Sequence, residues 1–188
     1  MPAAVLVICM VTGGHWEVNM FSTEDTSLIL TSGILFYGLA AGTVEEMVFR
    51  GLIMGILERR FGIRAAVIAP SVLFGALHII GRDMDFVSTV QFLIAGSIVG
   101  ILFSLIAYES GSVWNSAIVH GVWNMAVIGG ILHIGSSAEE SAIFNFVLDN
   151  KGFLVSGGDY GIEASAVAGA VYLIAALAAF GRVKRARK

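Results

Sequence analysis

The sequence predicts an all-α, polytopic transmembrane helix bundle with about five to six membrane segments and a polar intramembrane cavity, on three observations. First, 57% of the 188 residues are hydrophobic and only 13% charged, with a mean hydropathy of +0.86; soluble domains run near about one quarter charged. Second, apolar runs of spanning length, about 20 residues, recur along the chain. Third, the stretch GTVEEMVFRG sets Glu45, Glu46 and Arg50 inside the apolar run 28–57, where charge is most costly. The length suits one integral-membrane domain over residues 1–188. A net charge of −3, with no basic run that suits nucleic acid, argues against nucleic acid as a partner, and the lone Cys9 cannot form an internal disulfide.

The segments follow in order. Residues 3–11 are apolar but short for a span, and no Lys or Arg precedes them as in a secretory signal; they read as the remnant of a longer helix or as an interfacial one. Residues 28–57 can span with tilt. Residues 63–80 start with Arg64 and carry Pro70, which predicts a kinked or broken helix. Residues 86–108 hold no charge, and 113–134 hold only His120 and His133 as ionisable groups. Residues 164–181 are charge-free and Ala-rich, as closely packed membrane helices allow.

Charge sets the orientation. Arg59, Arg60 and Arg64 lie between the second and third segments, and a basic tail, 182–188, follows the last. Four spans separate these clusters, an even number, so both fit the cytoplasmic side. Gly51/Gly55 and Gly96/Gly100 match the close-packing G-x-x-x-G pattern and read as intramolecular contacts. Trp16, Trp114 and Trp123 suit interfacial anchors, although Trp123, beside Asn124, also suits a cavity wall.

The buried charges carry the functional signal. Unpaired in lipid, the three would cost roughly 8–10 kcal/mol. Glu46 and Arg50, four apart, share a helical face and can pair as a structural salt bridge. Glu45 lies about 100° round the helix with no cation four residues away on either side. An unneutralised acid there suits a general base or acid better than a structural ion. Two further polar pairs fall at helical spacing, Phe74 with His78 and His120 with Asn124. A single membrane histidine usually reads as packing, and His15 and His133 are read so. Depth separates the other two: Glu45 precedes Arg59, and His78 follows Arg64, by fourteen residues each, about 21 Å at helical rise. His120, eleven residues after Glu109, lies about 16 Å in, so polar groups of three helices can meet at one level.

With these residues assembled, the chain resembles the type II CAAX prenyl endopeptidase family of intramembrane glutamate proteases, also called the CPBP or Abi family. The motifs E-E-x-x-x-R, F-x-x-x-H and H-x-x-x-N are matched by Glu45, Glu46 and Arg50, by Phe74 and His78, and by His120 and Asn124. The motif core is 28–134. The run 156–163 also looks like bacterial members but reads as a glycine turn into the last span. The resemblance implies an intramembrane endopeptidase of a bacterial cell membrane, acting on a peptide or membrane-protein substrate without a cofactor; the charge layout puts its C-terminus on the cytoplasmic side. Glu45 and His78 would activate a water, His120 and Asn124 would stabilise the oxyanion, Glu46 and Arg50 would form the supporting pair, and Phe74 would pack the helix presenting His78. Two alternatives stay open: a non-catalytic scaffold or immunity protein of the same family, and a zinc-dependent protease whose metal Glu45, His78 and His120 would hold.

Overall fold

The computed structural model describes residues 1–186. Helix α1 (Pro2–Thr12) leads into strand β1 (Gly14–Val18). The long helix α2 (Thr23–Phe61) starts where Ser22 Oγ accepts from the Asp25 N–H, with Glu24 and Asp25 facing the positive helix end. It stops at Gly62, whose φ of +79° a β-carbon would disfavour. Then come α3 (Ile63–Leu77), α4 (Phe86–Ser110), and α5 (Val113–Trp123), which continues as a π-helical turn, Asn124–Ile128. Strands β2 (Leu132–Gly135) and β3 (Phe144–Leu148) and three short helical turns precede the last helix, α6 (Ala166–Ala186).

Helices α2, α4 and α6 are long and apolar enough to cross a membrane, while α1 and α3 are shorter apolar helices. Apolar side chains such as Leu35, Leu39, Leu52 and Ile56 on α2 are exposed, a surface suited to lipid contact. The two helices bearing the motif histidines are short. At helical rise, the 15 residues of α3 reach about 22 Å and the 16 from Val113 to Ile128 about 24 Å, against a hydrocarbon core of about 30 Å.

The structure corrects three expectations. Of the kinked or broken helix expected at 63–80, the break is absent: α3 is continuous through Pro70, with Ser71 Oγ donating to the Val67 carbonyl in the same turn, and it ends at Leu77, short of residue 80. The run 113–134 is not one helix: it breaks at Gly129–Gly130, where Gly130 has φ +76°, and Leu132–Gly135 pairs with β3. Residues 182–186 of the basic tail continue α6 as helix; Arg187 and Lys188 lie outside the described residues. Gly51 and Gly55 are not a packing seam, since a β-carbon at Gly55 would meet nothing within 4 Å.

The sheet, ordered β1-β3-β2 with β1 antiparallel and β2 parallel to β3, was not anticipated. Ile134, Phe146 and Leu148 bury against Trp123, Ile162 and Tyr172, and Val5 and Cys9 of α1 join that cluster. A second cluster, around Leu102, Phe103, Val67 and Ala176, joins α4 to α3 and α6. At that end Arg182 Nε donates to Glu109 Oε1 at 2.9 Å, and Arg64 and Lys184 line one groove, so the two basic clusters share an end of the bundle.

Glycines set the helix spacing. A β-carbon at Gly42 would sit 2.9 Å from Gly121 Cα, and one at Gly121 would sit 2.6 Å from the Gly38 carbonyl oxygen. The backbones of α2 and α5 therefore touch. Gly96 and Gly100 seat α4 on Gly75 and Ser71 of α3 in the same way, as their spacing predicts.

Candidate active site

Glu45 and Glu46 lie in one α-helical turn, Gly42–Glu46, between π-helical stretches Ser32–Ala41 and Met47–Ile53 of α2. Such widened turns are rare and often accompany functional sites. Because Gly42 seats this turn against Gly121, the carboxylates meet the face of α5 that carries His120.

Behind the cavity, Glu46 is fully buried. Its Oε1 accepts from Arg50 Nη1 at 2.7 Å and lies 3.0 Å from His120 Nδ1. Arg50 Nη2 donates to the Gly100 carbonyl at 2.8 Å and Nε to Ser104 Oγ at 3.4 Å. The guanidinium stands 5.0 Å from the Phe74 ring centre and 5.3 Å from that of Phe103, within cation–π range. Such contacts offset the desolvation of a buried ion pair, although Glu46 Oε2 is buried with no hydrogen-bond partner among the described residues.

Glu45 faces the other way. Its side chain is 30% exposed, and Oε2 stands 3.6 Å from His78 Nε2 and 3.8 Å from His120 Nε2. The hydrogen bonds assign the tautomers. His78 Nδ1 lies 2.8 Å from the Phe74 carbonyl oxygen, an acceptor, so Nδ1 carries the proton and donates. His120 Nδ1 donates likewise to the Arg50-paired carboxylate of Glu46. Both Nε2 atoms are thereby turned towards Glu45. Phe74 does more than hold its own helix: its ring is 4.4 Å from that of His78 and 5.6 Å from that of His120. Phe103 stacks on His120 at 4.7 Å.

These groups open on a cavity of about 370 Å³, lined by Glu45, His78, His120 and Asn124, with Phe36, Phe74, Phe92 and Phe103 among its apolar walls. Four of the six candidate residues thus share one wall system, while Glu46 and Arg50 lie behind it and reach it through His120. Among the described residues, no group of three or more His, Cys, Asp or Glu side chains is arranged to hold a metal ion.

Sequence reasoning missed Arg82, Tyr160, Glu163 and Tyr172 in this cavity. Trp123, buried, lines it and donates from Nε1 to Glu163 Oε1 at 2.7 Å. Burial pushes the Glu163 carboxyl above the ordinary carboxylate range and raises the Tyr160 phenol. The run 156–163, read as a turn, is pinned to the start of α4. Asp159 Oδ2 accepts from the Asp85 N–H at 3.1 Å, the Asp159 N–H donates to Ser88 Oγ at 3.3 Å, and Gln91 Nε2 donates to the Ala164 carbonyl at 2.8 Å. Tyr160 stacks on Phe92 at 3.5 Å, and Arg82 stands over Tyr160 at 4.6 Å. The signal within the run was an acid directly before a membrane helix. His15 and His133 lie outside the site, beside Glu17 and the Ser137 carbonyl at the sheet. Trp16 and Trp114 are about half exposed.

No curated protein and no solved structure matches the chain. The family model described as type II CAAX prenyl endopeptidase Rce1-like matches residues 27–126, a span that contains all six candidate residues.

Proposed function

Because the chain belongs to the Rce1-like family of type II CAAX prenyl endopeptidases, a family of membrane proteases, we propose that it is an intramembrane endopeptidase whose Glu45 and His78 activate the attacking water. Its substrate is a peptide or membrane protein, and its basic end, with the C-terminus, faces the cytoplasm. The observation that carries this reading is the convergence of Glu45 Oε2, His78 Nε2 and His120 Nε2 on one cavity wall, with both imidazoles held by their Nδ1 atoms.

A water between Glu45 and His78 satisfies two acceptors that face each other 3.6 Å apart, because it can donate to both. As its oxygen attacks the scissile carbonyl carbon, its proton passes to Glu45 as general base. The carbonyl oxygen becomes an oxyanion. Asn124, four residues beyond His120 on the same helical face, offers it an amide N–H. His120 Nδ1–H is committed to Glu46, so donation from Nε2 requires the imidazolium, with Glu46 and Glu45 as counter-charges at its two nitrogens. Arg50 balances Glu46, and the four-residue set is then neutral. Collapse of the tetrahedral intermediate breaks the C–N bond.

The test is Glu45→Gln in liposome-reconstituted protein, assayed on a panel of quenched fluorescent peptides. Loss of cleavage with insertion and melting temperature preserved is expected. Cleavage at the wild-type rate would overturn the role of Glu45 and leave a scaffold as the better reading.

A further inference from the structure

The hydrolysis just described places the proton of the attacking water on Glu45 and assigns no donor on the side of the departing amine. The departing amine must gain a proton as the C–N bond breaks. His78 Nε2 faces the cavity as an acceptor, Glu45 takes the proton of the attacking water, and His120 and Asn124 are engaged by the oxyanion. The cavity holds one more carboxyl group, on the loop that roofs it.

We propose that Glu163 is a third catalytic carboxyl of this cavity, the general acid that hands its proton to the departing amine. The inference rests on the proposed hydrolysis. Glu163 lines the same cavity as Glu45, His78, His120 and Asn124. It is held by Trp123, three residues beyond His120 and next to Asn124 on the helix that handles the oxyanion. The indole N–H occupies only Oε1, which leaves Oε2 to carry the proton. The loop bearing it is pinned to α4 through Asp85, Ser88 and Gln91, so the carboxyl is positioned rather than loose.

Its surroundings favour the neutral acid. Desolvation outweighs the Trp123 hydrogen bond and the attraction of nearby cationic groups, Arg82 among them, which act the other way. The phenols of Tyr160, from the loop, and Tyr172, from α6, line the cavity with it. Tyr160, too, is raised first by burial. The proton balance closes. Glu45 gains a proton from water and Glu163 gives one to nitrogen. Afterwards a proton passes from Glu45 to Glu163 through solvent in the cavity, which restores both.

The experiment compares wild type, E163Q and E45Q in liposomes on two probes. One is a quenched fluorescent peptide that the wild type cleaves. The other is the 4-nitrophenyl ester of the same acyl-side sequence, whose leaving group departs without a proton. E163Q keeps the shape of the side chain: the amide oxygen it introduces still accepts from Trp123, but there is no acid proton to give. E163Q should lose about 10²–10⁴-fold in kcat on the peptide and far less on the ester, with the alkaline fall of the wild-type kcat profile abolished. E45Q should lose both activities. Wild-type peptide cleavage by E163Q, or an equal loss on both probes, overturns the role of Glu163 while an inactive E45Q leaves the proposed function standing. Activity of E45Q overturns the proposed function itself. Should E163Q fail to fold, W123F is the second variant. Without the indole N–H the anion is less stabilised, so the alkaline limb should move to higher pH; an unmoved limb overturns the proposal.

Discussion

Truncating Arg50 to alanine strips a fully buried carboxylate of its counter-charge, and the structure sets the scale of the penalty. Glu46 has no exposed surface, and its Oε1 is shared by Arg50 Nη1 at 2.7 Å and His120 Nδ1 at 3.0 Å. The Gly100 carbonyl and Ser104 Oγ lose donors as well. Breaking a buried pair from one side costs about 3–5 kcal/mol, whereas replacing both partners with groups of similar volume is often close to neutral. Arg50→Ala should therefore destabilise by about that amount, more than the roughly 0.5–2 kcal/mol that its ring contacts alone would supply. Glu46→Gln with Arg50→Met should recover most of the loss. The glutamine oxygen still accepts from His120 Nδ1, and the methionine fills the space between Phe74 and Phe103. The assay is a double-mutant cycle on reversible unfolding in mixed micelles, followed by circular dichroism. A coupling energy above about 2 kcal/mol is expected for groups in one buried network. A coupling below about 0.5 kcal/mol would mean that Arg50 stabilises the bundle by packing alone and does not act by neutralising Glu46.

What was legible in the sequence followed from helical periodicity and the cost of buried charge. The four-residue spacing of Glu46 and Arg50 requires that they can meet, and they do at 2.7 Å. The 100° offset of Glu45 required that it face something else, and it faces both imidazoles. What was hidden depends on information that periodicity lacks. Residues 129–134 read as the end of a span because a short apolar run is equally a buried strand; only pairing with β3, distant in sequence, decides it. The seam of Gly38, Gly42 and Gly121 escaped notice for a related reason: Gly38 and Gly42 keep the four-residue repeat, but spacing within one helix does not name the partner, and Gly121 comes from a helix far along the chain. Glu163 was invisible for a third reason. A glycine-rich turn specifies a reversal of the chain, while the identity of the cavity it roofs is set by Asp85, Ser88 and Gln91 about seventy residues earlier.

The glycine contacts and the oxyanion wall make two further predictions. Gly121→Ala places a β-carbon 2.6 Å from the Gly38 carbonyl oxygen, backbone that cannot rotate away, and should cost about 1–3 kcal/mol by overpacking together with activity, since it pushes Glu46 off His120. Gly55→Ala, on the same helix as Gly38 but with nothing within 4 Å, should be neutral or stabilising by up to about 1 kcal/mol; thermal unfolding of the pair in detergent checks both, and equal destabilisation would refute the seam. Asn124→Ala should lower kcat on a cleavable peptide by about 10²–10³-fold and leave KM little changed, because an oxyanion donor binds charge that exists only in the transition state. A matching rise in KM with kcat intact would instead make Asn124 a ground-state substrate contact. His120 would then have to bear the oxyanion without it, although its Nδ1 is tied to Glu46 and its Nε2 lies 3.8 Å from Glu45.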